Sequence, residues 1–101
     1  MDRSKGYTGR LLIVDDNKVN RLLLARSLEQ QGHAISFAEN GRVALEMLHA
    51  QPFDLVILDV QMPELDGYQV LEQMVSDQHL RDIPVIMASS SEELDMVVRC
   101  I

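Results

Sequence analysis

Three short apolar runs, each closed by polar residues, constrain this chain more than anything else in it. Leu11-Leu12-Ile13-Val14 ends in Asp15-Asp16, and Leu55-Val56-Ile57-Leu58 ends in Asp59. Val85-Ile86-Met87-Ala88 opens after Pro84 and ends in Ser89-Ser90-Ser91. Unbroken apolar runs of about four residues, rich in Val and Ile, suit strands buried on both faces of a parallel sheet. Ala34 to Ala38 alternates more, with Ile35 and Phe37 on one side, and suits a less covered strand near an edge.

Helical patterns fill the gaps between these runs. Val19, Leu22, Leu23 and Ala25 fall at helical spacing, and Gly32 follows as a stop signal. Asn40 can cap a helix carrying Ala44, Leu45, Met47 and Leu48, which ends before Pro52. Asp66 can cap one carrying Val70, Leu71, Met74 and Val75. Ser90 with Glu93 forms a capping box that opens a helix bearing Leu94, Val97, Val98 and Ile101. The order βαβαβαβα predicts an α/β fold with a parallel sheet, right-handed crossovers and helices on both faces.

Composition narrows the function. The chain has 101 residues, enough for one domain. Nine Lys and Arg against 16 Asp and Glu give a net charge of −7, which argues against a nucleic-acid surface and suits a bound cation or a basic partner. Cys100 stands alone, without a disulfide partner or a metal-ligand pattern, which points to a reducing cytoplasm. No apolar run approaches the ~20 residues needed to span a bilayer, so no membrane role is expected. Residues 1–9 are polar and read as a flexible N-terminal tail, leaving 10–101 as the domain.

In open α/β sheets, ligands bind beyond the carboxyl ends of the strands, where strand order reverses. The predicted fold brings Asp15-Asp16, Asp59 and Ser89 together there. Three carboxylates at one point repel unless a cation lies among them. Hard oxygen donors select Mg²⁺ or Ca²⁺, and an incomplete carboxylate shell suits Mg²⁺ that awaits phosphate oxygens. Taken singly, Asp15 or Asp16 could be a helix cap and Asp59 a turn residue. Their convergence argues for a site. His33, His49 and His79 share no ligand spacing and read as solvated surface residues, while Tyr68 reads as packed at the start of the third helix.

Val14-Asp15-Asp16-Asn17, the run Asp59-x-x-Met62-Pro63-x-x-Asp66-Gly67, and Pro84-Val85-Ile86 followed by Ser89 together resemble the receiver domain of two-component response regulators. The resemblance covers roughly Arg10 to Ile101. Asp15-Asp16-Asn17 with Asn20 and Arg21 also looks like receivers attached to hybrid sensor kinases. The resemblance implies a flavodoxin-like open sheet of order 2-1-3-4-5. It implies that Asp59 is the phosphoacceptor, that Asp16 binds Mg²⁺ directly and that Asp15 helps hold it through water. The backbone carbonyl of Gln61 would be a further ligand, and the Ser89 hydroxyl would bond the phosphoryl group and act as a switch. Partners would be a sensor histidine kinase or a phosphotransfer protein, with an output domain C-terminal in the parent. Such a domain is not a turnover enzyme; it takes part only in its own phosphoryl transfer and autodephosphorylation.

Two rival readings fare less well. A haloacid-dehalogenase-type phosphohydrolase needs a second Asp two residues after Asp59, where Gln61 stands. A phosphorylation-independent pseudo-receiver would not need an intact acidic pocket, although the family's fifth-strand lysine has no counterpart in Lys5 or Lys18. Receivers have five βα units and this sequence supplies about four. It therefore reads as an incomplete receiver, a fragment whose uncovered sheet edge would favour self-association.

Overall fold

A computed structural model describes residues 9–59 and 67–88. The elements run β1 (Arg10–Val14), α1 (Lys18–Gln30), β2 (Ala34–Ala38), α2 (Gly41–Ala50), β3 (Leu55–Asp59), α3 (Gly67–Ser76) and β4 (Val85–Ala88). The expected fourth helix, the Ser90–Glu93 capping box and the Asp66 cap lie outside the described residues.

The strands form one parallel sheet in the order β2-β1-β3-β4, the flavodoxin-like order expected for the chain. Alternation along the strands sorts the core into two layers. Leu11, Ile13 and Ile57 face α1 and pack with Leu24, Ala25 and Leu28. Leu12, Val14, Val56 and Leu58 face the other way, toward Ala44 and Leu48 of α2 and Val70 and Met74 of α3. β1 and β3 are thus covered on both sides, as their unbroken apolar runs require. β2 is an edge strand, which explains its mixed pattern.

Local signals set the element ends. Asn40 caps α2, its side-chain oxygen accepting the Val43 N–H at 2.9 Å. Gly32 ends the turn after α1 with φ of 97°, a left-handed conformation that glycine adopts without strain. At the amino end of the sheet the Asp54 carboxylate accepts the Arg10 N–H at 2.8 Å, and the Asp54 N–H donates to the Arg10 carbonyl at 2.8 Å. Gly9, the last residue of the expected tail, donates its N–H to His33 Nδ1 at 3.1 Å.

Three expectations need correction. α1 does not bury Val19, Leu22 and Leu23; they are 63%, 54% and 60% exposed, and of the expected face Ala25 alone is buried. Apolar residues lie on both faces of α1, and the sheet selects the Leu24-Ala25-Leu28 face because it meshes with Leu11, Ile13 and Ile57. His33 is buried at 6% exposure rather than solvated, because its ring closes the turn over the start of β1. Tyr68 is 62% exposed; the core-facing positions of α3 are instead Val70 and Met74, which leaves Tyr68 on the solvent side.

The α1 correction carries a test. Leu28→Ala should cost about 3–4 kcal/mol, because a fully buried leucine leaves a cavity. Leu23→Ala, on the exposed face, should cost less than about 0.5 kcal/mol. Urea unfolding of the two variants reads both values. Equal costs would mean that the helix is rotated.

Candidate functional site

β1 and β3 are adjacent parallel strands, in register from Leu11↔Leu55 to Val14↔Leu58. Residues that close these strands therefore meet at one end of the sheet. Asp15 follows β1 directly, and Asp59 is the last residue of β3. Asp15, Asp16 and Asp59 each present a carboxylate oxygen, and these oxygens all lie within 4.8 Å of one another. Burial grades across the trio: Asp15 is buried, Asp59 half-buried and Asp16 exposed.

Asp15 is the most constrained of the three, with 2% exposure. Its N–H donates to the Ala38 carbonyl of β2 at 3.1 Å. Its carbonyl accepts from Arg21 Nη1 at 2.6 Å. Its Oδ1 accepts the Asn17 N–H at 2.8 Å, closing an Asx turn. Oδ2 is buried and has no hydrogen-bond partner among the described residues. An unsatisfied buried acceptor costs about 1–3 kcal/mol and calls for an explanation. A cation held among the acids supplies one.

Neither acid of the pair serves as the helix cap. Asn17 does so, its side-chain oxygen accepting the Asn20 N–H at 3.1 Å. With the cap provided by the next residue, Asp16 has no structural duty in the turn and stays exposed beside the other two carboxylates. The chemistry of the set fits Mg²⁺: all donors are hard oxygens. Oxygens ~2.1 Å from a shared Mg²⁺ lie about 3–4 Å apart, so the cluster needs little contraction or one bridging water.

Two expected site residues, Gln61 and Ser89, lie outside the described residues. Ala88, the residue before Ser89 in the chain, is the register partner of Asp59 across β3 and β4. Arg21 also joins the site, through its bond to the Asp15 carbonyl, a role that its spacing could have signalled. It lies three, four and seven residues before Leu24, Ala25 and Leu28, so a charge occupies the buried face of α1.

An acidic cluster at the carboxyl edge of a 2-1-3-4 parallel sheet defines a flavodoxin-like domain with a cation-competent pocket. A family model described as the response regulator receiver domain matches residues 11–101, and the chain belongs to that family. Among its relatives, a two-component response regulator of Oryza sativa subsp. japonica is 31% identical over 98 residues, which cover 96% of this chain and 73% of that protein. A probable cyclic di-GMP phosphodiesterase of Vibrio cholerae is 45% identical over 76 residues, 75% of this chain but 17% of that protein. The sensor histidine kinase GacS of Pseudomonas protegens is 42% identical over 80 residues, 76% of this chain and 9% of that protein. The chain thus spans a small part of several relatives that it matches. Among solved structures, the N-terminal domain of a response regulator receiver protein from Methanoculleus marisnigri superposes with a TM-score of 0.77 at 36% identity, covering 87% of this chain and 75% of that one. The signal receiver domain of a histidine kinase from Syntrophus aciditrophicus does so with a TM-score of 0.77 at 34% identity, covering 92% and 73%.

Proposed function

We propose that this receiver takes a phosphoryl group on Asp59 in a Mg²⁺-dependent reaction and passes the change on as a signal. The observation that carries the reading is the trio of carboxylates within 4.8 Å, with one buried oxygen left without a partner. Asp16 would bind the metal directly, Asp15 would hold it through water, and Asp59 would share it with the incoming phosphoryl group. The Gln61 carbonyl would complete the protein ligands and the Ser89 hydroxyl would bond the phosphoryl oxygens. Mg²⁺, when bound, neutralises charge on the transferring group.

The chain's own part is placement. Asp59 ends a central strand: its neighbour Leu58 is paired with Val14 of β1, and Asp59 itself with Ala88 of β4. Its carboxylate oxygen attacks phosphorus, the bond from phosphorus to the donor nitrogen breaks, and the donor imidazole leaves and is protonated. Phosphoryl transfer depends mainly on in-line positioning and charge neutralisation, so one nucleophile and a few donors suffice. No second acid follows Asp59 two residues on to drive turnover, so the domain acts on itself rather than as an enzyme.

The donor would be a sensor histidine kinase or a phosphotransfer protein. The exposed Val19, Leu22 and Leu23 on α1, the helix that follows the acidic pair, offer an apolar face for such a partner. Residues 10–101 would act as the receiver part of a larger cytoplasmic signalling protein. No helix among the described residues is long and apolar enough to cross a membrane.

Incubation with a small phosphodonor and Mg²⁺ should add one acid-labile phosphoryl group, read by intact mass, and chelation should abolish it. Incorporation that proceeds equally well in chelator, or a label stable to acid and hydroxylamine, would overturn the reading.

A further inference from the structure

We infer that Arg21 is a positioning residue for the acidic pocket, acting through the backbone of Asp15; this rests on the reading of that pocket as the Mg²⁺ site. The guanidinium of Arg21 donates from Nη1 to the Asp15 carbonyl at 2.6 Å. Arg21 is half-buried on the face of α1 that carries Leu24, Ala25 and Leu28, so packing restricts its path to the loop.

The bond closes a small circuit. The Arg21 N–H donates to the Asn17 carbonyl at 3.1 Å as the first helical turn forms. The Asn17 N–H donates to Asp15 Oδ1 at 2.8 Å. Arg21 Nη1 then returns to the Asp15 carbonyl, and the Asp15 N–H is anchored on Ala38 of β2. Each polar atom of Asp15 is thereby held except Oδ2, which is buried with no partner. The circuit fixes the orientation of the carboxylate and leaves that one oxygen for a ligand. Groups that orient metal ligands from behind tune metal affinity by about 10–100-fold.

Charge alone predicts the opposite sign. A guanidinium near a cation site repels the cation, so removing it would tighten Mg²⁺ binding if its field were all that mattered. Positioning predicts weaker binding. The two effects can therefore be told apart by direction.

The experiment titrates Mg²⁺ into the wild-type chain, Arg21→Met and Arg21→Lys, followed by amide shifts. In parallel, hydrogen exchange of the Asn17 amide is measured in metal-free buffer. We expect Arg21→Met to weaken Mg²⁺ about tenfold and to speed Asn17 exchange about tenfold, with Leu12 and Ile13 amides unchanged. Arg21→Lys should recover part of both, since an ammonium can still donate to a carbonyl. Equal or tighter Mg²⁺ binding by Arg21→Met would overturn the inference. So would loss of protection spread evenly over the sheet with Mg²⁺ affinity intact, the mark of a merely structural residue. If the wild-type chain itself fails to bind Mg²⁺, the reading of the pocket fails. The Asn17 exchange rate then decides separately whether Arg21 holds the loop, and an unchanged rate sinks the inference.

Discussion

Asp59→Asn should bring phosphoryl incorporation to background while leaving the fold intact. An amide is close to isosteric with the carboxylate, so the β3 pairing of Val14↔Leu58 on one side and Asp59↔Ala88 on the other has no reason to change. The amide oxygen lacks the charge that makes a carboxylate an effective nucleophile toward phosphorus. Intact-mass measurement after incubation with a small phosphodonor and Mg²⁺ reads the result, and circular dichroism checks the fold. Exposed Asp16, in the same cluster, is the natural competitor for the label. A label that persists at wild-type level in Asp59→Asn and disappears in Asp16→Asn would reassign the acceptor.

Asp15→Asn should stabilise the metal-free chain by about 1–2 kcal/mol and weaken Mg²⁺ at least tenfold. The carboxylate of Asp15 is 2% exposed, sits within 4.8 Å of two others, and leaves Oδ2 without a hydrogen bond. Burying such an acceptor is unfavourable, and the neighbouring like charges add to the cost. An asparagine keeps an oxygen for the Asn17 N–H, now 2.8 Å from Oδ1, and turns an NH₂ toward the remaining carboxylates. The gain should shrink as Mg²⁺ is added, because a ligand that binds the native state stabilises the wild type by RT ln(1 + [L]/Kd). Urea unfolding in chelator and at rising Mg²⁺ tests both statements. A variant less stable than wild type in chelator would mean that the Asp15 carboxylate is already satisfied by protein groups.

This tension between function and stability bears on the rival readings. A domain used only for assembly gains nothing from three crowded carboxylates, one of them buried and partly unpaired. α1, the helix that follows Asp15-Asp16, also leaves Val19, Leu22 and Leu23 exposed.

The strands and the acids that close them were legible from the residues alone. Leu11–Val14 and Leu55–Leu58 are continuous apolar runs because each has to satisfy two packed faces at once. Asp15, Asp16 and Asp59 follow such runs, and in a parallel sheet adjacent strand ends coincide in space. The Asn40 cap and the Gly32 turn were legible too, since both are local. The exposed face of α1 was not. Val19, Leu22 and Leu23 satisfy helical spacing as well as Leu24, Ala25 and Leu28 do, and nothing within a helix says which stripe meets the sheet. Contact with Leu11, Ile13 and Ile57 decides it. The burial of His33 also waited on tertiary structure. His33 closes on Gly9 across 24 residues of sequence. The periodicity of single elements encodes how each is built, whereas the choice between equivalent faces is a property of the assembled sheet.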